Sequence, residues 1–265
     1  METLRQQWRD GDVTLGGWLS SASSTTAESM ARTALDYVCV DMQHGTSDYA
    51  SAVGQIQAII AAGGTPIVRV PWNEQGIIGK VLDAGALGVI VPMVNSPAEA
   101  EAVVSACRYA PRGSRSFGPI LAAPRVVGNY VDWSRDNIAV IPMIETAQAV
   151  DDLDAILDVE GIDAVYVGPA DLSLTYGLPP GNNDDEPQFT DALTRIVESC
   201  NERGIVAGIH ANGKLTPRRL AAGFRMVTVA SDVGAMGIGI QSELREARAT
   251  DGPGHDAVAQ NKTGY

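Results

Sequence analysis

Lysine is nearly absent from this 265-residue chain: Lys80, Lys214 and Lys262 stand against sixteen arginines. None of the three falls in an apolar run with strand character, and Lys214 sits in a loop. This argues against any reaction that forms a Schiff base on a lysine inside a barrel. Positive charge is short as well. With 32 acidic and 19 basic residues the net charge is −13, so the cationic surface that phosphate backbones need is missing and nucleic acid is not an expected partner. A small anionic substrate would need a local positive centre, a metal or an arginine. Cysteines number three, and Cys39, Cys107 and Cys200 are far apart in apolar surroundings. They read as core thiols, neither a disulfide framework nor a zinc site. No apolar run reaches the length of a membrane span. Residues 1–10 lack the basic cap and apolar core of a signal peptide, so a cytoplasmic protein without a membrane partner is expected.

Short apolar runs rich in β-branched residues recur along the chain, each followed by a helical pattern. The strand candidates are residues 14–19, 37–41, 66–70, 88–92, 138–144, 164–168, 205–209 and 226–229. Between them lie amphipathic segments at 49–62, 74–84, 97–107, 147–157, 188–202, 216–222 and 233–249. Eight alternations in about 240 residues predict an α/β protein, a (β/α)8 TIM barrel whose strands are buried on both faces. Glycines at 63, 85, 161, 204 and 223 mark helix ends ahead of the next strand. One domain is expected over residues 1–249, with 250–265, including Gly252-Pro-Gly254 and His255, as a mobile C-terminal tail. Residues 109–137 break the repeat, with three prolines and no sustained period. An insertion of that length is expected to leave the barrel near its catalytic face as a lid or a subunit contact.

Two of the strand candidates stop abruptly at a carboxylate: Ile141-Pro-Met-Ile-Glu145-Thr146 and Tyr166-Val-Gly-Pro-Ala-Asp171-Leu172. Side chains at the carboxyl ends of barrel strands converge on one rim, so Glu145 and Asp171 can share a hard divalent cation there and leave positions open for a chelating ligand. The competing structural readings are a helix cap at Glu145-Thr146 and an N-cap at Asp171. The other strand ends also carry polar or ionisable groups, among them Trp18, Asp41 with His44, Arg69, His210 and Ser231-Asp232. Arg69 emerges from the apolar run Pro66-Ile-Val-Arg69-Val-Pro71 and needs an anionic partner. That partner is a substrate carboxylate or enolate oxygen, or else Glu145, Asp41 or Asp83 in a purely structural pair. His44 is the general-base candidate, oriented by Asp41 or Asp83. His210 is placed to line the pocket.

At these residues the sequence resembles the HpcH/HpaI aldolase family of metal-dependent class II pyruvate aldolases. The resemblance rests on Val40-Asp-Met-Gln-His44-Gly, Val68-Arg69-Val-Pro, Val81-Leu-Asp83-Ala-Gly-Ala with Val91-Pro-Met-Val, Tyr109-Ala-Pro-Arg-Gly-Ser-Arg115, Ile144-Glu145-Thr and Val167-Gly-Pro-Ala-Asp171-Leu. It implies a barrel with an exchanged C-terminal helix, assembled as a homo-oligomer, a hexamer built as a trimer of dimers. Glu145 and Asp171 are implied to hold Mg2+, Mn2+ or Co2+, Arg69 to steady a pyruvate enolate, and His44 to move protons with help from Asp41 or Asp83. The backbone of Gly168, Pro169 and Ala170 would approach the carboxylate of the 2-oxo acid, with Trp18 and His210 near the aldehyde. The implied reaction is reversible cleavage of a 4-hydroxy-2-oxo acid to pyruvate and an aldehyde. Two residues depart from the family pattern: Met143 stands where many members carry Gln, and His210 where an apolar residue is common. The alternatives are a lyase or synthase acting on a larger hydroxy acid or a malyl- or citramalyl-type thioester, and a non-catalytic barrel that binds a metabolite.

Overall fold

A computed structural model describes residues 3–249; the expected tail at 250–265 lies outside the described residues. Eight parallel strands close into a barrel in sequential order: β1 (Thr14–Leu19), β2 (Tyr37–Asp41), β3 (Pro66–Arg69), β4 (Gly88–Val91), β5 (Ala139–Ile144), β6 (Ala164–Val167), β7 (Val206–His210) and β8 (Met226–Ser231). All eight expected strands are present, β1 and β2 with the expected ends and the other six shifted by a residue or two. The helices are α1 (Leu4–Asp10), α2 (Ser24–Ala31), α3 (Tyr49–Ala61), α4 (Gln75–Ala84), α5 (Pro97–Cys107), α6 (Tyr130–Asn137), α7 (Ala147–Asp151), α8 (Leu153–Leu157), α9 (Pro169–Thr175), α10 (Pro187–Glu202), α11 (Thr216–Ala221) and α12 (Asp232–Ala249). The helix expected over 147–157 is interrupted at Asp152, which separates α7 from α8. Four helices had no counterpart in the sequence pattern: α1, α2, α6 and α9.

The two faces of the sheet bury two cores. Val38, Val40, Val68, Val89, Val91, Val140, Ile144 and Val165 point outward against the helices. The alternate residues Tyr37, Cys39, Ile67, Ile90, Ile141, Met143, Ala164, Tyr166 and Met226 fill the barrel interior. A strand's side chains alternate faces, so extending the inward series by two delivers Asp41 after Cys39, Arg69 after Ile67, Glu145 after Met143 and Gly168 after Tyr166. The apolar interior therefore ends in a polar layer at the carboxyl ends of the strands. At the opposite mouth α1 closes the barrel. Leu4 and Trp8 join the inner core, Trp8 Nε1 donates to Thr14 Oγ1 at 3.0 Å, and Arg5 pairs with Asp163 at 2.7 Å.

The insertion at 109–137 is not where the sequence reading put it. It starts where α5 ends, at the foot of the barrel, because a helix following a parallel strand runs back to the strands' amino ends. Its bonds go to the outer helices. Gln75 Nε2 donates to the Ser114 carbonyl, Arg125 reaches Gln57, and Arg115 Nη2 meets Asp83 at 2.7 Å. Arg115 lies 4.6 Å and 5.7 Å from the ring centroids of Tyr109 and Tyr130, giving the insertion a small core of its own. Phe117, Ile120 and Val127 remain exposed on its surface. The last helix, α12, is exposed along most of its length, presenting Val233, Met236, Ile238, Ile240 and Leu244 to solvent, while Asp232 at its start is buried.

Candidate active site

Asp41 and Arg69 are register partners on β2 and β3, so both side chains face into the barrel mouth at the same level. Arg69 donates to Asp41 twice, from Nε at 2.9 Å and from Nη2 at 2.7 Å. This fork leaves the Nη1 edge outside the pair. Asp41 is 2% exposed and also accepts from Trp18 Nε1 at 3.1 Å and from the backbone N–H groups of Gln43 and His44. Burial works against its ionised form, but Arg69 and these donors hold its carboxyl below the usual range. Of the partners considered for Arg69, Asp41 is therefore the one that engages it.

Trp18 is the floor of this pair. Its ring stacks on Tyr166 with centroids 5.5 Å apart, the Arg69 guanidinium lies 4.8 Å from its centroid, and the edge of His210 meets it at 5.1 Å. Tyr166 is in turn fixed by a 2.6 Å hydroxyl contact with Thr228, which also meets the Tyr37 hydroxyl at 3.2 Å. Burial pushes the His210 imidazole down to about 4, and Arg69 adds to the fall while Asp41 opposes it. His210 is therefore neutral near pH 7, which suits it to hydrogen bonding and not to proton transfer at that pH.

Glu145, immediately after β5, is 1% exposed, and its Oε1 accepts the Met93 N–H at 2.8 Å. Burial raises its carboxyl to about 7. The Met93 N–H opposes the rise, the neighbouring Asp171 carboxylate adds to it, and Arg69 opposes it. Asp171 lies in the first turn of α9, and the N-cap of that helix is Gly168, not Asp171. Thr146, not Glu145, caps the helix that follows β5. Neither carboxylate is thus spent on a capping role. The glycine has a steric reason: a Cβ on Gly168 would fall on Glu145 Oε2, so only Gly lets the carboxylate lie against the start of α9. Asp232 braces the same rim by accepting from Ser20 N at 2.9 Å, Ser21 N at 3.0 Å and Ser21 Oγ at 2.6 Å.

Two residues lack the side-chain pairing expected of them within the chain. Asp83, next to last in α4, is bound to Arg115 at the barrel's outer surface and does not meet His44 within the chain. Since α4 runs away from the carboxyl rim, its final turn lies at the other end of the barrel. His44 stands exposed in the loop after β2, with its backbone N–H and not its ring on Asp41. Two contributors had no role assigned from the sequence, although Met93 falls in the Val91-Pro-Met-Val run. Met93 supplies the N–H to Glu145 with a backbone φ of 55°, and Asn95 donates from Nδ2 to the Met93 carbonyl at 3.0 Å while accepting from Thr146 Oγ1. The only sequence signal for Asn95 was its place just past β4, on the functional rim.

The donor set suits a hard divalent cation. Glu145 is buried and Asp171 half-buried; burial first, and then the Asp171 charge, raise the proton affinity of Glu145, and a cation held by both would relieve that cost. Among the described residues no group of three or more His, Cys, Asp or Glu side chains gathers to hold a metal. A cation here would therefore take two protein carboxylates and keep positions for water or substrate oxygens, as Mg2+ and Mn2+ commonly do.

The fold and site define a TIM barrel with a two-carboxylate rim facing an arginine held by aspartate. Residues 14–237 match the HpcH/HpaI aldolase/citrate lyase family, and the chain belongs to that family. It is 37% identical over 250 residues to the hydroxypyruvate/pyruvate aldolase of Rhizorhabdus wittichii, covering 94% of this chain and 100% of that one. The 4-hydroxy-2-oxo-heptane-1,7-dioate aldolase of Klebsiella pneumoniae is 35% identical, with 96% of each chain covered. Among solved structures, an HpcH/HpaI aldolase/citrate lyase family protein from Burkholderia cenocepacia superposes with a TM-score of 0.86 at 30% identity, covering 94% of this chain and all of that one.

Proposed function

We propose that the chain is a divalent-metal-dependent class II aldolase that cleaves a 4-hydroxy-2-oxo acid to pyruvate and an aldehyde, and runs the condensation in reverse. The observation that carries this reading is the buried Glu145 carboxylate beside Asp171, on the same rim as the Arg69–Asp41 pair. When bound, the cation supplies Lewis-acid polarisation of the 2-oxo acid. The chain's own residues do the rest. Arg69, fixed by Asp41 through Nε and Nη2, presents its remaining edge to the oxygen on which negative charge develops. The backbone N–H groups at the start of α9, over Gly168 and Ala170, favour the substrate carboxylate. His44 takes the proton from the C4 hydroxyl in cleavage and returns it in condensation. Trp18 and the neutral His210 line the aldehyde side.

Mg2+, Mn2+ or Co2+ fits the oxygen donors. The exposed apolar stripe of α12, together with Phe117 and Ile120 on the insertion, supports a homo-oligomer, a trimer of dimers in which the C-terminal helix is exchanged. The buried free thiols Cys39, Cys107 and Cys200 fit a reducing cytoplasm. The test is incubation with pyruvate in D2O, with and without Mn2+ or Mg2+, followed by NMR. Metal-dependent exchange of the methyl protons is the expected result, and its absence at full metal occupancy refutes enolate chemistry.

A further inference from the structure

Met93 is the one non-glycine residue with positive φ, at 55°, among the described residues. The left-handed region is disfavoured for a side chain with a Cβ, so such a conformation persists only when surrounding contacts impose it. Here the conformation does one visible thing: it aims the Met93 N–H at Glu145 Oε1, 2.8 Å away. The contacts that impose it converge on Asn95. Its Nδ2 holds the Met93 carbonyl at 3.0 Å, its Oδ1 receives the Thr146 hydroxyl, and its own N–H is held by Glu99 Oε2 at 2.6 Å. Thr146 directly follows Glu145 and caps α7. Asn95 thus ties the loop after β4 to the loop after β5, with the strained residue and the buried carboxylate on either side of the knot.

We infer that Asn95 is a positioning residue for the metal carboxylate. By holding Met93 in the left-handed conformation, it keeps the Met93 N–H on Oε1 of Glu145 and so fixes the orientation in which that carboxylate meets a cation. This rests on the reading of Glu145 and Asp171 as the cation's ligands. Asn95 touches neither of them, and its effect passes through the backbone of residue 93. Outer-shell partners of this kind are worth roughly 10- to 100-fold in metal affinity.

The mechanism has a specific signature. Glycine occupies the left-handed region without a steric cost, so Gly at position 93 should make Asn95 dispensable. Mn2+ binding is followed by the loss of the free-ion EPR signal in the wild type, Asn95→Ala, Asn95→Leu, Met93→Gly and the Met93→Gly/Asn95→Ala double variant, with circular dichroism confirming that each is folded. Asn95→Leu keeps the side-chain bulk and removes only the polar head, so the measurement survives if the alanine variant fails to fold. The expected result is a Kd raised about tenfold in Asn95→Ala and Asn95→Leu, and a return to within about twofold of wild type in the double variant. An unchanged Kd in the single variants overturns the inference, as does a double variant that binds as weakly as Asn95→Ala. If wild-type protein fails to bind Mn2+, the assignment of the two carboxylates falls, and this inference with it.

Discussion

Replacing Glu145 by Gln should stabilise the metal-free protein at alkaline pH while abolishing its response to metal. The buried carboxyl is displaced from 4.5 to about 7. A carboxyl whose folded pKa lies above its unfolded one holds its proton better in the folded state. Below pH 4.5 it therefore costs nothing; between 4.5 and 7 ionisation increasingly favours unfolding, and above 7 the full cost applies. At about 1.4 kcal/mol per pKa unit, that cost is on the order of 3 kcal/mol. Glutamine keeps a carbonyl oxygen for the Met93 N–H and carries no charge. In EDTA at pH 8, Glu145→Gln should melt several degrees above wild type, since about 1 kcal/mol corresponds to ~2–4 °C in a domain of this size. At pH 4.5 the two should melt together. Added Mn2+ at a hundred times its Kd should stabilise wild type by about 2.7 kcal/mol and leave the variant unmoved. Thermal melts across pH 4.5–8 with and without Mn2+ measure all three. Equal melting of variant and wild type at pH 8 would refute the buried-charge argument, and equal stabilisation by Mn2+ would refute Glu145 as a ligand.

Gly168→Ala should fold and yet lose metal affinity by at least tenfold, because the new Cβ falls on Glu145 Oε2 and displaces the carboxylate; isothermal titration with Mn2+ checks it. Arg69→Lys keeps the charge but breaks the two-pronged hold on Asp41. It should lower kcat/KM about 100-fold and stability by about 2 kcal/mol, read from retro-aldol kinetics and denaturant melts. His210 is neutral down to about pH 4, so His210→Gln should leave the inflections of the pH–rate profile between 5 and 9 in place. The loss of an inflection in that variant would mean that His210 titrates in catalysis.

The parts of this molecule that were legible in the sequence are those where side-chain chemistry and strand periodicity coincide. β5 and β6 are unbroken apolar runs that end at a carboxylate or a glycine, and the inward parity of Met143 and Tyr166 carries straight to Glu145 and Gly168. What was not legible depends on direction and tertiary contact. α2 is built from Ser24-Thr-Thr-Ala-Glu-Ser-Met-Ala31, too polar to show a helical stripe, and is started by Ser23, whose side chain caps Thr26. α9 is only seven residues long and starts at Pro169, directly after the strand-end glycine. Asp83 is a carboxylate in a stretch that resembles the family, as His44 is in another, but a βα unit sends the last turn of its helix to the foot of the barrel, away from His44. Asn95 carried no signal beyond position, and nothing marked Met93 for a backbone role, since a left-handed φ held by a side chain from two residues on appears only when the loops are folded together.

The shortage of positive charge imposes an order on the site. Arg69 is already neutralised by Asp41 through two short bonds, and His210 is uncharged. Glu145 feels the Asp171 charge beside it, and the chain around them carries a net charge of −13. Without a cation the rim therefore offers an anionic 2-oxo acid no net attraction, and ionisation of Glu145 above pH 7 makes matters worse. A divalent cation offsets the two carboxylate charges and offers its open positions to the anion, and Arg69 becomes a second pole for it. Metal should therefore bind first, with oxo-acid affinity created by it. Calorimetric titration of pyruvate into protein in EDTA should give no measurable heat, and titration into Mn2+-loaded protein a saturable one. By linkage, pyruvate must then tighten Mn2+ binding by the same factor. Equal pyruvate affinity with and without metal would show that the arginine and the backbone of α9 suffice, and that the carboxylates serve some other purpose.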